Sequence, residues 1–235
     1  MRKGRGCSRP PGRAAFGAPE PSRWSSAIVP TDTDLLLVVD LQVDFLPGGS
    51  LAVTEGDAVV PLVNALARRF PHVALTQDWH PPGHLSFASS HPGRRPFETT
   101  RLAYGEQTLW PDHCVMGMPG AALAPGLDLP GAELVIRKGF RHGIDSYSAF
   151  LEADRLTPTG LAGYLRERGI RRVALVGLAT DYCVAWSALD ARAAGFEAVV
   201  IEDACRAIDL DGSLARAWRD MEAAGVGRMA SGTLG

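Results

Sequence analysis

The sequence predicts an α/β domain: a three-layer, Rossmann-like fold with a mostly parallel sheet of about six strands and helices on both faces. Three observations carry this. Short runs dominated by Val, Leu, Ile and Ala, such as 35–39, 73–76, 173–176 and 198–201, have the length and continuous apolar character of strands buried on both faces. Longer segments with helical spacing alternate with them, which is the pattern of a parallel sheet with crossover helices. With 235 residues, of which 46% are hydrophobic, the chain is long enough for one large domain with a full core.

Leu35-Leu36-Leu37-Val38-Val39 reads as the first strand, ending at Asp40. Asp57 is expected to cap a helix carrying Val59, Val60, Val63, Leu66 and Ala67. Val73 to Thr76 is a second strand, ending at Asp78, and Glu133 to Ile136 a third, ending at Lys138. A helix over about 159–168 leads through Gly169 into a strand at 173–176. The next helix follows Cys183 and ends near Gly195. A strand at 198–201, a helix over about 211–224 and a weak strand near 226–230 complete the chain. Residues 79 to about 131 break this rhythm. They are rich in Pro, Gly and His but also hold Trp and Phe, which argues for a functional excursion rather than disorder.

Residues 1–33 differ from the rest. They carry Arg2, Lys3, Arg5, Arg9, Arg13 and Arg23 among Pro, Gly, Ser and Ala, and are expected to be a disordered N-terminal extension to a domain spanning 34–235. That stretch has no apolar core of the kind a secretory signal needs. A net charge of -2 and a pI near 6.3 give no argument for nucleic acid as a partner, and no apolar run approaches membrane-span length. The four cysteines, Cys7, Cys114, Cys183 and Cys205, are widely spaced, so a reducing cytoplasm suits the chain better than a disulfide scaffold. The composition leaves a homo-oligomer open.

In an open parallel sheet, ligands bind beyond the carboxyl ends of the strands. Asp40, Lys138 and Cys183 all lie at or just past such ends. Singly, each has a dull explanation: a turn, a solvated charge, a small buried hydrophobe. Together they supply a base, a cation and a nucleophile, as a thiol hydrolase requires. Cys183 falls between a strand and a helix, where the helix N-terminus is expected to lower the thiol pKa. Asp78-Trp79-His80 puts a carboxylate and an imidazole two residues apart after a strand, and His84 and His113 come from the same excursion. Two imidazoles and a carboxylate suit Zn, Fe or Mn.

Five segments in order extend this reading: Val38-Val39-Asp40-Leu41-Gln42-Val43-Asp44-Phe45 with Gly48-Gly49-Ser50-Leu51-Ala52-Val53; Gln77-Asp78-Trp79-His80-Pro81; Trp110-Pro111-Asp112-His113-Cys114; Lys138-Gly139 with Asp145-Ser146-Tyr147-Ser148-Ala149-Phe150; and Gly177-Leu178-Ala179-Thr180-Asp181-Tyr182-Cys183-Val184. In these the chain, from about residue 35 to 230, resembles the nicotinamidases among the isochorismatase-like cysteine hydrolases. The resemblance implies a catalytic triad of Asp40, Lys138 and Cys183, and one divalent metal ion on Asp78, His80 and His113. It implies Phe45 and Trp110 flanking a pyridine ring. It also implies a cis peptide at Leu178–Ala179, with the N–H groups of Ala179 and Cys183 as oxyanion hole. His84 is a candidate fourth ligand. The activity implied is deamidation of nicotinamide, and of related aromatic amides such as pyrazinamide, through a thioester. The alternatives are a metal-independent relative acting on ureido or carbamoyl substrates, which would not need the Asp78, His80 and His113 set, and a non-catalytic binding protein on the same fold, which would not need the triad.

Overall fold

β1 (Asp34–Val39) is the axis of the molecule, and every one of its residues is buried. The computed structural model describes residues 29–234; the basic leader expected over 1–33 lies, up to residue 28, outside them. A turn in which Asp34 accepts the Thr31 N–H at 2.6 Å leads into the strand. β1 pairs with β2 (His72–Asp78) on one side and with β6 (Arg172–Leu178) on the other. β5 (Ala132–Lys138) adds to β2, while β7 (Glu197–Arg206) and β8 (Gly227–Met229) extend the far side. The sheet has six strands in the order β5-β2-β1-β6-β7-β8, and every pairing is parallel.

The alternation of side chains across β1 divides the core. Leu36 and Val38 pack with Val63 and Leu66 of α1 (Val60–Ala67) on one face. Leu35, Leu37 and Val39 pack on the other with Leu161 and Leu165 of α2 (Leu161–Glu167), Ala188 of α3 (Ala185–Ala193) and Met221 of α4 (Ser213–Ala223). The three expected layers are therefore present, with all four helices near their expected positions.

Three local readings change. Asp57 is not a helix cap: it lies in a 3-10 turn, Gly56–Val59, and α1 starts at Val60 with no side-chain cap. Pro61 in the first turn supplies a preset φ instead. The irregular excursion contains an antiparallel hairpin, β3 (Thr99–Leu102) with β4 (Gly105–Thr108). Its strands are polar and half exposed, so they carry no apolar alternation to read. Cys183 sits in a π-helical turn, Thr180–Val184, that precedes α3 rather than in the first α-helical turn. Single π turns of this kind occur frequently at functional sites.

From β1 the chain moves outward to β2 and β5, then returns across β1 to lay down β6, β7 and β8. The direction reverses between β1 and β6, and the crevice beyond the carboxyl ends at such a switch point is where open α/β sheets bind ligands. Asp40 follows β1 directly, and Cys183 follows β6 through one turn. Close approach of these strands depends on Gly177, where a Cβ would sit 2.1 Å from the Val39 carbonyl oxygen.

Candidate active site

Lys138, the last residue of β5, is completely buried and its ammonium is the centre of the crevice. Its three N–H groups donate to Asp78 Oδ1, to the Ser146 carbonyl at 2.9 Å and to Cys183 Sγ at 3.3 Å. Asp40 Oδ2 lies 2.7 Å from the same nitrogen as an ion pair, yet outside the angles a hydrogen bond requires. That oxygen is buried and has no hydrogen-bond donor, so it keeps acceptor capacity. The other Asp40 oxygen accepts the Thr76 hydroxyl at 2.6 Å, and the Asp40 N–H donates to Thr76 Oγ1 at 3.1 Å. The Asp40 backbone has φ +46°, an αL conformation that Asp tolerates better than most residues and that ends the strand here. The Cys183 sulfur, an oxygen of Asp40 and one of Asp78 lie within 4.8 Å of each other. The three strand-end residues singled out in the sequence are thus brought together.

Electrostatics differ from the expectation for Cys183. Burial pushes its thiol well above the usual range, and the carboxylates of Asp40 and Asp78 add to this; Lys138 opposes them without reversing the direction. The dipole of a short turn does not overcome two buried negative charges. Burial likewise raises the pKa of Asp40, helped by Asp78 and opposed by Lys138. For Asp78 burial works the same way, but the Lys138 ammonium outweighs it and holds the carboxyl well below its ordinary value. Burial favours neutral Lys138, but Asp40 and Asp78 hold it well above the usual lysine range. The arrangement sets the thiol beside an Asp40 oxygen with a free lone pair and a lysine nitrogen held by three partners.

Asp78, His80 and His113 form a second group whose ligand atoms all lie within 4.8 Å. Nε2 of each imidazole is 3.7 Å from Asp78 Oδ2. Nδ1 of His80 is 2.9 Å from the Gly139 carbonyl and that of His113 is 2.8 Å from the Pro111 carbonyl. A carbonyl only accepts, so Nδ1 carries the proton in both rings and Nε2 presents a lone pair. One carboxylate and two imidazoles oriented in this way fit a divalent transition ion. His84 stands apart. Its Nδ1 accepts the Ser86 N–H at 3.1 Å and lies 2.7 Å from the Ser86 hydroxyl, while Nε2 reaches the Arg141 carbonyl at 2.9 Å. Both ring nitrogens are occupied, and burial together with neighbouring His80 lowers its pKa. A role as fourth ligand would require breaking these bonds.

Phe45, Trp110, His113 and Cys183 line one cavity of about 340 Å³, counting its open mouth, with Asp78 and Ala179 also on its wall. The Leu178–Ala179 peptide is cis. Trp110 meets Tyr182 edge to face, with ring centroids 4.9 Å apart and planes at 87°.

Several residues that position the site carried no role in the sequence reading. Gln42 clamps the Asp78 main chain, its Oε1 accepting the Asp78 N–H at 2.8 Å and its Nε2 donating to the Asp78 carbonyl at 2.8 Å. Asp44 accepts the Cys114 N–H at 2.7 Å and so ties the turn carrying Phe45 to the loop carrying His113. The usable signal was a Gln and an Asp next to a strand end in an otherwise apolar segment, but their partners are 36 and 70 residues away. Gly139 has φ +69°, and a Cβ there would lie 2.4 Å from the His80 ring.

Residues 34–231 match the isochorismatase domain model. The chain is 59% identical over 196 residues to a nicotinamidase of Acinetobacter baylyi, covering 83% of this chain and 92% of that one. Its fold superposes on a nicotinamidase and pyrazinamidase of Acinetobacter baumanii with a TM-score of 0.85 and 56% identity, covering 86% and 98% of the two chains. A pyrazinamidase of Pyrococcus horikoshii, solved in complex with zinc, matches with a TM-score of 0.68 and 35% identity over 84% of this chain and 99% of the other.

Proposed function

This chain belongs to the isochorismatase domain family, and from that premise we propose that it is a nicotinamidase, an amidohydrolase converting nicotinamide to nicotinate and ammonia and accepting pyrazinamide as well. One observation carries the reading: the Cys183 thiol and the Asp78–His113 donors face a single cavity between Phe45 and Trp110. The two aromatic side chains on its wall, Phe45 and Trp110, suit one flat ring.

In this reading Asp40 Oδ2 takes the Cys183 proton as the sulfur attacks the carboxamide carbon. Burial raises the thiol pKa, so proton transfer accompanies attack, and the Lys138 N–H on sulfur stabilises the charge as it forms. The N–H groups of Ala179 and Cys183 receive the oxyanion, each such donor typically being worth about 3–4 kcal/mol. The C–N bond then breaks, the proton on Asp40 passes to the leaving nitrogen, and ammonia departs from a thioester. Asp40 next deprotonates a water that attacks the thioester carbon; the S–C bond breaks, the proton returns to Cys183, and nicotinate is released. Asp78, His80 and His113 would hold one divalent transition ion, zinc, iron or manganese, whose Lewis acidity serves the ring nitrogen or a nearby water. Phe45 and Trp110 hold the ring flat and exclude bulk water.

No helix among the described residues is long and apolar enough to cross a membrane. The three described cysteines are buried and unpaired, which supports a cytoplasmic enzyme. Gly139→Ala should push the His80 ring off its position, lowering the metal bound per chain and the turnover together, as read by elemental analysis of purified protein. Full metal content in a folded variant would remove His80 from the ligand set. The substrate assignment is tested by ammonia release from nicotinamide, pyrazinamide and N-carbamoyl compounds. Turnover of the two aromatic amides is expected; a preference for carbamoyl compounds would overturn it.

A further inference from the structure

We propose that Gln107, on β4, is a positioning residue that sets affinity for the aromatic ring by locking Tyr147 and, through it, Trp110. The inference rests on the nicotinamidase reading above. Gln107 is 2% exposed, lies outside the cavity that holds Cys183, and spends its whole amide on other side chains and on its own main chain. Oε1 accepts the Tyr104 hydroxyl at 2.8 Å. The two N–H groups of Nε2 are shared among three acceptors, Asp145 Oδ2 at 2.9 Å, the Tyr147 hydroxyl at 3.0 Å and the Thr108 carbonyl at 2.6 Å. The Tyr147 oxygen also accepts the Trp110 indole N–H at 2.9 Å. Two donors on one phenol oxygen fix its place, and Trp110 then stands at 89° to the Tyr147 ring. Trp110, Tyr147 and Asp145 all face the cavity with Cys183, so one amide behind the wall organises three groups on it.

Packing against Tyr182 and Trp186 holds the Tyr147 ring but leaves its hydroxyl to hydrogen bonds. A second cavity, about 590 Å³ with its open mouth, lies behind the same wall and is bordered by Tyr104, Gln107 and Tyr147. Tyr147 borders both cavities, and Gln107 stands behind it on the second. The phenol oxygen at this boundary is placed by its hydrogen bonds to Gln107 and Trp110, which ring contact alone does not fix. Among the described residues no hydrogen bond joins Lys138 to the Asp145 carboxylate; its link to this region is the Ser146 main-chain carbonyl. Loosening Tyr147 and Trp110 should therefore weaken binding of ground state and transition state alike, which raises KM with little change in kcat.

The test is steady-state kinetics of the full chain on nicotinamide, with thermal unfolding as a check on folding. Gln107→Leu keeps the size and removes the amide; KM should rise about tenfold, the scale of one lost buried hydrogen bond. Its kcat should stay within about threefold of the parent. Tyr104→Phe removes only the hydroxyl that orients Gln107 and should raise KM less, in the same direction; it decides the matter if Gln107→Leu fails to fold. Adding Tyr147→Phe to Gln107→Leu should cost no more than the worse single change, because both break one chain of contacts. An unmoved KM, a fall in kcat at constant KM, or fully additive losses would overturn the proposal. A parent enzyme that releases no ammonia from nicotinamide would instead overturn the nicotinamidase reading, and this inference with it.

Discussion

Cys183→Ala is expected to abolish ammonia release from nicotinamide, by about 10⁴-fold or more, as for loss of a nucleophile in a triad. No other group in the cavity can replace it. The described cysteines Cys114 and Cys205 are buried elsewhere, and burial pushes both thiols up, Cys205 to about 12. The fold should survive, because the substitution removes one sulfur from a turn whose helix, α3, is held by Ala185, Ala188 and Ala191 in the core. Turnover measured alongside circular dichroism separates the two effects. Native activity in a folded Cys183→Ala protein would remove the nucleophile from the account.

Lys138→Met should affect stability as strongly as activity. The ammonium is the common partner of two buried carboxylates, one of them fully enclosed. In metal-free protein Asp40 and Asp78 are then left as uncompensated buried charges, and breaking such a pair by removing one member costs about 3–5 kcal/mol. In a chain of this size each kcal/mol lowers the melting temperature by about 2–4 °C, so a drop of about 6–20 °C is expected. Adding Asp78→Asn should recover part of it by removing one of the orphaned charges. The single variant should also lose turnover, because the sulfur loses its only N–H donor among the described side chains. Unchanged melting would show that the carboxylates find other partners, against the central position of Lys138.

The sheet and its helices were legible because their information is local. A run such as 35–39 states its own burial, and helical spacing states its own face. The position of Asp40, Lys138 and Cys183 at one crevice was legible for a related reason: strand ends of a parallel sheet converge, so sequence position translates into place. Hairpin β3–β4 was not legible, since half-exposed polar strands have no pattern. Gln42, Asp44 and Gln107 were missed because each is defined by partners remote in the chain or hidden behind another side chain. The thiol pKa was misjudged because the turn at Cys183 was weighed alone. Its direction is set first by burial, with Asp40 and Asp78 adding to it, and only the fold supplies both.

The account depends above all on Cys183 bonding to the carbonyl carbon of a pyridine substrate. Pyridine-3-carboxaldehyde presents that carbon with no leaving group, and a nucleophilic thiol adds to it to give a stable thiohemiacetal. With ¹³C at the aldehyde carbon, NMR of the bound compound should show a tetrahedral carbon in the parent enzyme. That signal should be missing in Cys183→Ala, which still binds the ring. A bound aldehyde that stays trigonal in the parent, or a tetrahedral signal equally strong in Cys183→Ala, would contradict the account.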